Sequence, residues 1–182
     1  MLDEKLDEYR RVTSELGNKL NFMTAENLRD YLRDRDKDVD FIPFCNEHIE
    51  HLRKSGRGGT ANNHRTVRNS LVDYFVRNTV SITEIHSNML MDYERWLRTE
   101  RTMTRINQLG NEVTTKEKGL KDAGIYCHMR DLRTLFNAVC TKYNNEDLGI
   151  YRIKHYSFKK YKVGSPPPTK KRNFTIVIEL LG

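Results

Sequence analysis

Residues 119–143 read GLKDAGIYCHMRDLRTLFNAVCTKY. Ile125, Met129, Leu132, Phe136, Val139 and Tyr143 recur at steps of three and four, the spacing that places side chains on one face of an α-helix. The pattern predicts a long amphipathic helix from near Asp122 to about Tyr143, ended by Asn144 and Asn145. Four prolines and ten glycines in 182 residues leave room for more long helices. β-branched alternation is scarce before the last ten residues. The expected class is all-α.

The same reading extends upstream. Residues 101–120, RTMTRINQLGNEVTTKEKGL, show no clean period and read as a loop or loose extension, unusually long for a compact domain. Before them, Ile85, Met89, Leu90, Tyr93, Trp96 and Leu97 mark a helix running to about Glu100, preceded by a turn over 79–83. Val67, Leu71, Tyr74 and Phe75 form the buried face of another, with Thr60 placed to cap it. Phe41, Phe44, Cys45, His48, Ile49 and Leu52 make a further stripe, with Pro43 in the first turn where its missing N–H is harmless. Gly56, Gly58 and Gly59 stop that helix.

Nearer the N-terminus, Leu2, Leu6, Tyr9, Val12, Leu16 and Leu20 define an amphipathic helix ending near Gly17. Thr24 then caps a shorter one carrying Ala25, Leu28, Tyr31 and Leu32. At the other end the basic, aromatic stretch 151–164 runs into SPPPTKKR (165–172), whose prolines favour an extended linker. The expected organisation is a helical lead-in over 1–36, a helical domain over 37–163 and an extended basic linker over 164–182.

The net charge is +7, and its distribution is uneven. Acids outnumber bases from Met1 to Asp40. Arg53, Lys54, Arg57, Arg65 and Arg68 fall in an acid-free run from His51 to Arg68. Arg152, Lys154, Lys159, Lys160, Lys162, Lys170, Lys171 and Arg172 fall in a second, from Tyr151 to Arg172. Segregated positive charge fits a polyanionic partner, most often nucleic acid, although such runs also solvate helices. No apolar run approaches the roughly 18 residues of a membrane span, and the N-terminus lacks a signal-peptide pattern. Cys45, Cys127 and Cys140 form no CxxC, and Cys45 and Cys140, on apolar faces of the expected helices, read as reduced core thiols of a cytosolic protein.

Residues 55–75, SGRGGTANNHRTVRNSLVDYF, hold the most informative cluster. Lys54 and Arg57 lead into a glycine turn, and Thr60, Asn62, Asn63, His64, Arg65 and Arg68 follow in the opening turns of a helix. A helix start offers free N–H groups and a positive dipole end to phosphate, while Asn and Arg side chains match adenine and guanine edges. The plain alternative is a glycine turn followed by a polar helix start. A second basic cluster, Lys118, Lys121, Tyr126, Arg130 and Arg133, lies opposite the apolar stripe of the 122–143 helix. Cys45, His48 and His51 share one side of a helix but lack a fourth ligand, so core packing accounts for them better than a metal. No nucleophile elbow, P-loop or HExxH is present, and no catalytic residue, cofactor, metal or small-molecule substrate is expected.

Three segments in order, 41–75, then ITEI with YERWL (82–97), then IYCHMRDLRTLFNAV (125–139), resemble the N-terminal SAM-like, core-binding domain of tyrosine recombinases of the phage and conjugative-transposon integrase branch. The resemblance covers about residues 24–160 and is strongest at YCHMRDLRTLFNAV. It implies an orthogonal four-helix bundle that clamps one face of duplex DNA, with the starts of its second and fourth helices toward the duplex, alongside other recombinase protomers in a bacterial, nucleoid-associated setting. Catalysis in the family belongs to a C-terminal domain carrying His-x-x-Arg and a nucleophilic tyrosine. This sequence holds no His-x-x-Arg, so no enzymatic activity is expected of it. The ending TIVIELLG and the length of 101–119 both depart from the family pattern. Two other readings stay open: a basic helical module that binds acidic proteins, and a small stand-alone DNA-binding regulator.

Overall fold

In the computed structural model, which describes residues 2–106 and 109–168, the chain begins with helix α1 (Leu2–Leu16), a 3-10 turn over Gly17–Phe22, and α2 (Ala25–Asp34). Thr24 caps α2 as expected, its hydroxyl accepting from the Asn27 N–H at 3.1 Å. Among the described side chains of this lead-in only Val12 and Leu16 are buried, and none of α2 is. Polar contacts hold it instead. Arg35 pairs with Glu8 at 2.9 Å, Lys19 donates to the Gly149 carbonyl, and Arg152 donates to the Lys37 carbonyl.

The main body is α3 (Phe41–Lys54), α4 (Gly58–Phe75), α5 (Ser87–Arg98) and α6 (Asp122–Tyr143). Asp40 starts α3 by accepting from the Ile42 N–H at 3.1 Å and also takes the Val80 N–H at 3.0 Å. Phe41 N–H to Val80 O and Ile82 N–H to Val39 O complete that tie to the α4–α5 connection. His86 caps α5 through its Nδ1, which takes the Met89 N–H. The stripe read from 119–143 packs as expected: Met129, Leu132, Phe136 and Val139, with Leu135 beside them, are wholly buried, and α6 packs against α3, α4 and α5.

Tyr93, fully buried, donates to Ser70 Oγ at 2.9 Å and meets His128 Nε2 at 2.8 Å. With the phenol proton directed at Ser70, the imidazole tautomer that fits is Nε2–H, donating to the phenol oxygen. Burial pushes the His128 pKa down to about 4, Arg101 adding to the effect, so the ring is neutral near pH 7.

Two expectations need correction. The segment read as a loop holds two antiparallel strands: β1 (Arg101–Ile106) pairs with β2 (Glu112–Glu117), Arg101 opposite Glu117 and Ile106 opposite Glu112. β2 is exposed throughout, so it has no buried face and no period-two pattern to read. Among the described side chains of β1, the alternate residues Arg101, Met103 and Arg105 are half-buried. Arg101 lies over the Trp96 ring at 5.0 Å and donates to Leu97 O, and Arg105 grips both carboxylate oxygens of Asp73 in α4. Second, α4 starts at Gly58, so Thr60 sits inside its first turn and is not the cap. The glycine pair that read as a helix stop begins the next helix.

Past α6, β3 (Asn144–Asn145) pairs with β4 (Ile150–Tyr151). The chain then folds back over the bundle. Ile153, Phe158 and Tyr161 are buried, Tyr161 donates to Glu94 at 2.5 Å, and Ser87 donates to the Ser157 carbonyl at 2.7 Å. Lys170, Lys171, Arg172 and the ending TIVIELLG lie outside the described residues.

Candidate nucleic-acid interface

The turn from α3 into α4 is built on Gly56, whose φ of +76° is a left-handed conformation that favours glycine. Arg57 then occupies the N-cap position with no side-chain capping bond. The first N–H groups of α4 therefore meet solvent, where an anion is the favoured partner. Around them Lys54, Arg57, Asn62, Asn63 and Arg65 are exposed, and Thr60 and Arg68 are half-buried.

His64 is placed differently from the surface position expected of it. It is 2% exposed and turned inward, its ring 5.5 Å from that of His48. Burial lowers both imidazole pKa values; for His64 the neighbouring His48 and Arg57 push the same way while Asp131 opposes them. The sequence carried a signal for this, since Ala61, His64, Val67 and Leu71 share one helical stripe and are all buried. Cys45 is likewise buried, whereas His51 is exposed. Among the described residues no group of three or more His, Cys, Asp or Glu side chains is placed to hold a metal ion.

On the second helix, Lys121 is the N-cap of α6, again without a side-chain bond. Lys118 lies just beyond β2, before the helix that its sequence position suggested. Tyr126 and Arg130 are half-exposed. The Arg130 guanidinium rests 5.9 Å from the Tyr126 ring centroid and donates to Asp131 at 2.8 Å, so Asp131 serves Arg130 and leaves Arg133 exposed. The two clusters belong to packed neighbours, since α4 contacts α6 and Asp131 of α6 acts electrostatically on His64 of α4.

Among the described residues, Lys54, Arg57, Arg65, Arg68, Lys118, Lys121 and Arg133 make no ion pair, while nearby Arg53 and Arg130 are paired with Glu50 and Asp131. Sequence reasoning overlooked Arg101 and Arg105. They stand four residues apart on β1 and share a face, a relation visible only once the segment is known to be a strand.

The profile of the phage integrase SAM-like domain matches residues 40–163. The chain belongs to this family. The match takes in α3 to α6, the hairpin and the segment that folds back over the bundle, and it makes this mostly helical unit a recombinase-type SAM-like domain. No curated protein and no solved structure matched it. No helix among the described residues is long and apolar enough to cross a membrane.

Proposed function

We propose that this SAM-like domain grips duplex DNA as the core-binding part of a site-specific tyrosine recombinase, one face of a clamp whose catalytic residues lie in a separate domain. The starts of α4 and α6 meet the duplex. Lys54, Arg57, Arg65, Lys118, Lys121 and Arg133 neutralise phosphates, and Asn62, Asn63 and Arg130 reach toward base edges. Tyr126 supports Arg130 from below, and Thr60 adds a hydroxyl to the exposed start of α4. The partners are duplex DNA and further recombinase protomers, in a cytoplasmic, nucleoid-associated setting.

The observation that carries this reading is that, among the described residues, the exposed bases at these two helix starts have no ion-pair partner. A protein that needed them only for solvation would gain by pairing them, as it does elsewhere in the chain. Titration of a labelled duplex at two salt concentrations tests the proposal. Half of a clamp makes part of the phosphate contacts, so affinity on the order of micromolar or weaker at physiological salt is expected, falling steeply as salt rises. No binding at low salt, or binding that ignores salt, overturns it and favours an acidic protein partner.

A further inference from the structure

Arg68 is set apart from the other bases of the α4 and α6 clusters. It projects from the middle of α4 and is half-buried, and its Nε is sealed from solvent with no acceptor. It makes no ion pair among the described residues. The charges that act on it are Arg105, Arg65 and Arg53, and with burial they press its pKa below the ordinary arginine value. Among the described residues no carboxylate acts on Arg68 itself. Cys45 stands nearby, but burial pushes that thiol far up, so it is neutral and supplies no counter-charge. A sealed donor without an acceptor, ringed by like charges, is an unfavourable arrangement unless an anion completes it.

The surrounding arginines are held in place by three elements. Arg53, from the end of α3, is paired with Glu50. Arg105, from the hairpin, donates to Asp73 through both terminal nitrogens, which leaves its Nε–H uncommitted. Asp73 is the only acid in α4, and the hairpin engages it, so it does not neutralise the arginines of its own helix. Arg53 and Arg105 are therefore balanced by their own carboxylates, while Arg65 and Arg68 are not.

We propose that Arg68 is the floor of a phosphate seat walled by Arg65, by Arg53 of α3 and by Arg105 of the hairpin, and that its occupant is one backbone phosphate of the bound duplex. The fork of the guanidinium suits a phosphodiester, and a single anionic group at its terminal nitrogens, the part of the half-buried side chain that is not sealed, relieves the mutual repulsion. The hairpin thereby becomes a wall of the nucleic-acid surface. The seat itself rests on the geometry around Arg68, and its occupant rests on the DNA reading above.

The test has two arms on the full chain. In the first, melting is followed with inorganic phosphate on the order of 10 mM against chloride at matched ionic strength, far below the range of general salting effects. Phosphate should raise the melting temperature of the wild type and leave that of Arg68→Gln unmoved. Equal melting of the wild type in the two anions overturns the seat without recourse to any variant. In the second arm, duplex affinity is measured against salt. Arg68→Gln should lower the slope of log affinity against log salt by about one and weaken binding about tenfold. Arg105→Gln, with its fold checked by circular dichroism, should weaken binding about threefold. A duplex bound equally by the wild type and a folded Arg68→Gln overturns the seat while the DNA reading survives. Arg68-dependent stabilisation by phosphate without any duplex binding keeps the seat and overturns its occupant. Loss in Arg68→Gln but none in Arg105→Gln removes the hairpin from the site.

Discussion

In α1, α2 and the turn after them, Lys5, Arg10, Arg11, Arg29, Arg33, Arg35 and Lys37 each lie within 4.0 Å of a carboxylate, most often one three or four residues away on the same helix. Around the starts of α4 and α6, none of Lys54, Arg57, Arg65, Lys118, Lys121 and Arg133 has such a partner among the described residues. The two regions draw on the same side chains to different ends. Paired charges at helical spacing solvate a helix that has little apolar surface to bury and add a few tenths of a kcal/mol each. Unpaired ones keep their field available to a partner. Net charge alone does not separate these cases; the acids within a turn or two do.

The comparison is sharpened first by pH, where the largest effect is expected. The folded-state pKa of His128 is depressed to about 4 from an ordinary value near 6.5. The unfolded chain therefore binds this proton first, and stability is lost as pH falls from about 6.5 toward 4. The loss amounts to about 3 kcal/mol in all. His48 and His64, also depressed, act with the same sign. The lead-in responds lower on the scale: bonds from Arg33 and Lys37 hold the Asp34 carboxyl far below its ordinary value, so its contribution persists above the carboxylate range and fades only in stronger acid. Melting curves from pH 7 to 4.5 should show a steady fall that shrinks in His128→Gln. A flat wild-type profile would mean that the buried histidines are not neutral.

Next in size is the direct contrast between the two regions. Reversing Arg57 and Arg65 together to Glu should reduce duplex binding about a hundredfold at moderate salt, since each reversal removes one phosphate contact and adds a repulsion. Reversing Arg10 and Arg11 should leave binding within about twofold. Equal losses would mean that binding follows overall charge and that the pairing pattern carries no information.

Arg130 lies between the extremes, because Asp131 pairs it while Tyr126 holds it at the surface. Arg130→Ala should weaken duplex binding by about 1–3 kcal/mol if the guanidinium reads a base, and less if it meets only phosphate. The melting temperature should change little. A variant that melts early while its residual binding is unchanged would assign Arg130 to the framework of α6. The smallest effect is expected from Arg35→Ala in the lead-in, which breaks the pair with Glu8. Thermal denaturation should register no more than about 1 kcal/mol, with no change in duplex affinity.

The helices were legible because each buries a stripe, and a stripe imprints its period on the chain. The stripe at Ile125, Met129, Leu132, Phe136 and Val139 was read directly and is buried throughout. The hairpin was not, because β2 is exposed on both faces and the alternate half-buried positions of β1 include Arg101 and Arg105, so no apolar alternation marks either strand. The α4 start lies three residues before the expected one, with Arg57 and not Thr60 at the N-cap, because glycine both ends and begins helices and Arg57 gives no side-chain capping signal. Of the candidate site, the exposed positions could be read from charge and helical phase. Burial of His64 was available from its place between Ala61 and Val67. The isolation of Arg68 depends on Arg105 arriving from a different element, and no local pattern encodes that.

At the base of the hairpin, a Cβ on Gly119 would lie 1.7 Å from the Arg98 carbonyl oxygen, and the Leu120 N–H bonds to Leu97 O at 2.8 Å. The chain thus leaves the bundle and re-enters it at one point, so the span between is closed whatever its length. Closing a longer span adds only about 0.6 kcal/mol per doubling. The turn residues 109–111 are therefore a suitable graft position for an epitope or a dye-bearing peptide, whose presence should leave the helices undisturbed. Gly119 does not share that freedom, because any side chain there would force apart the two segments that bring the ends together.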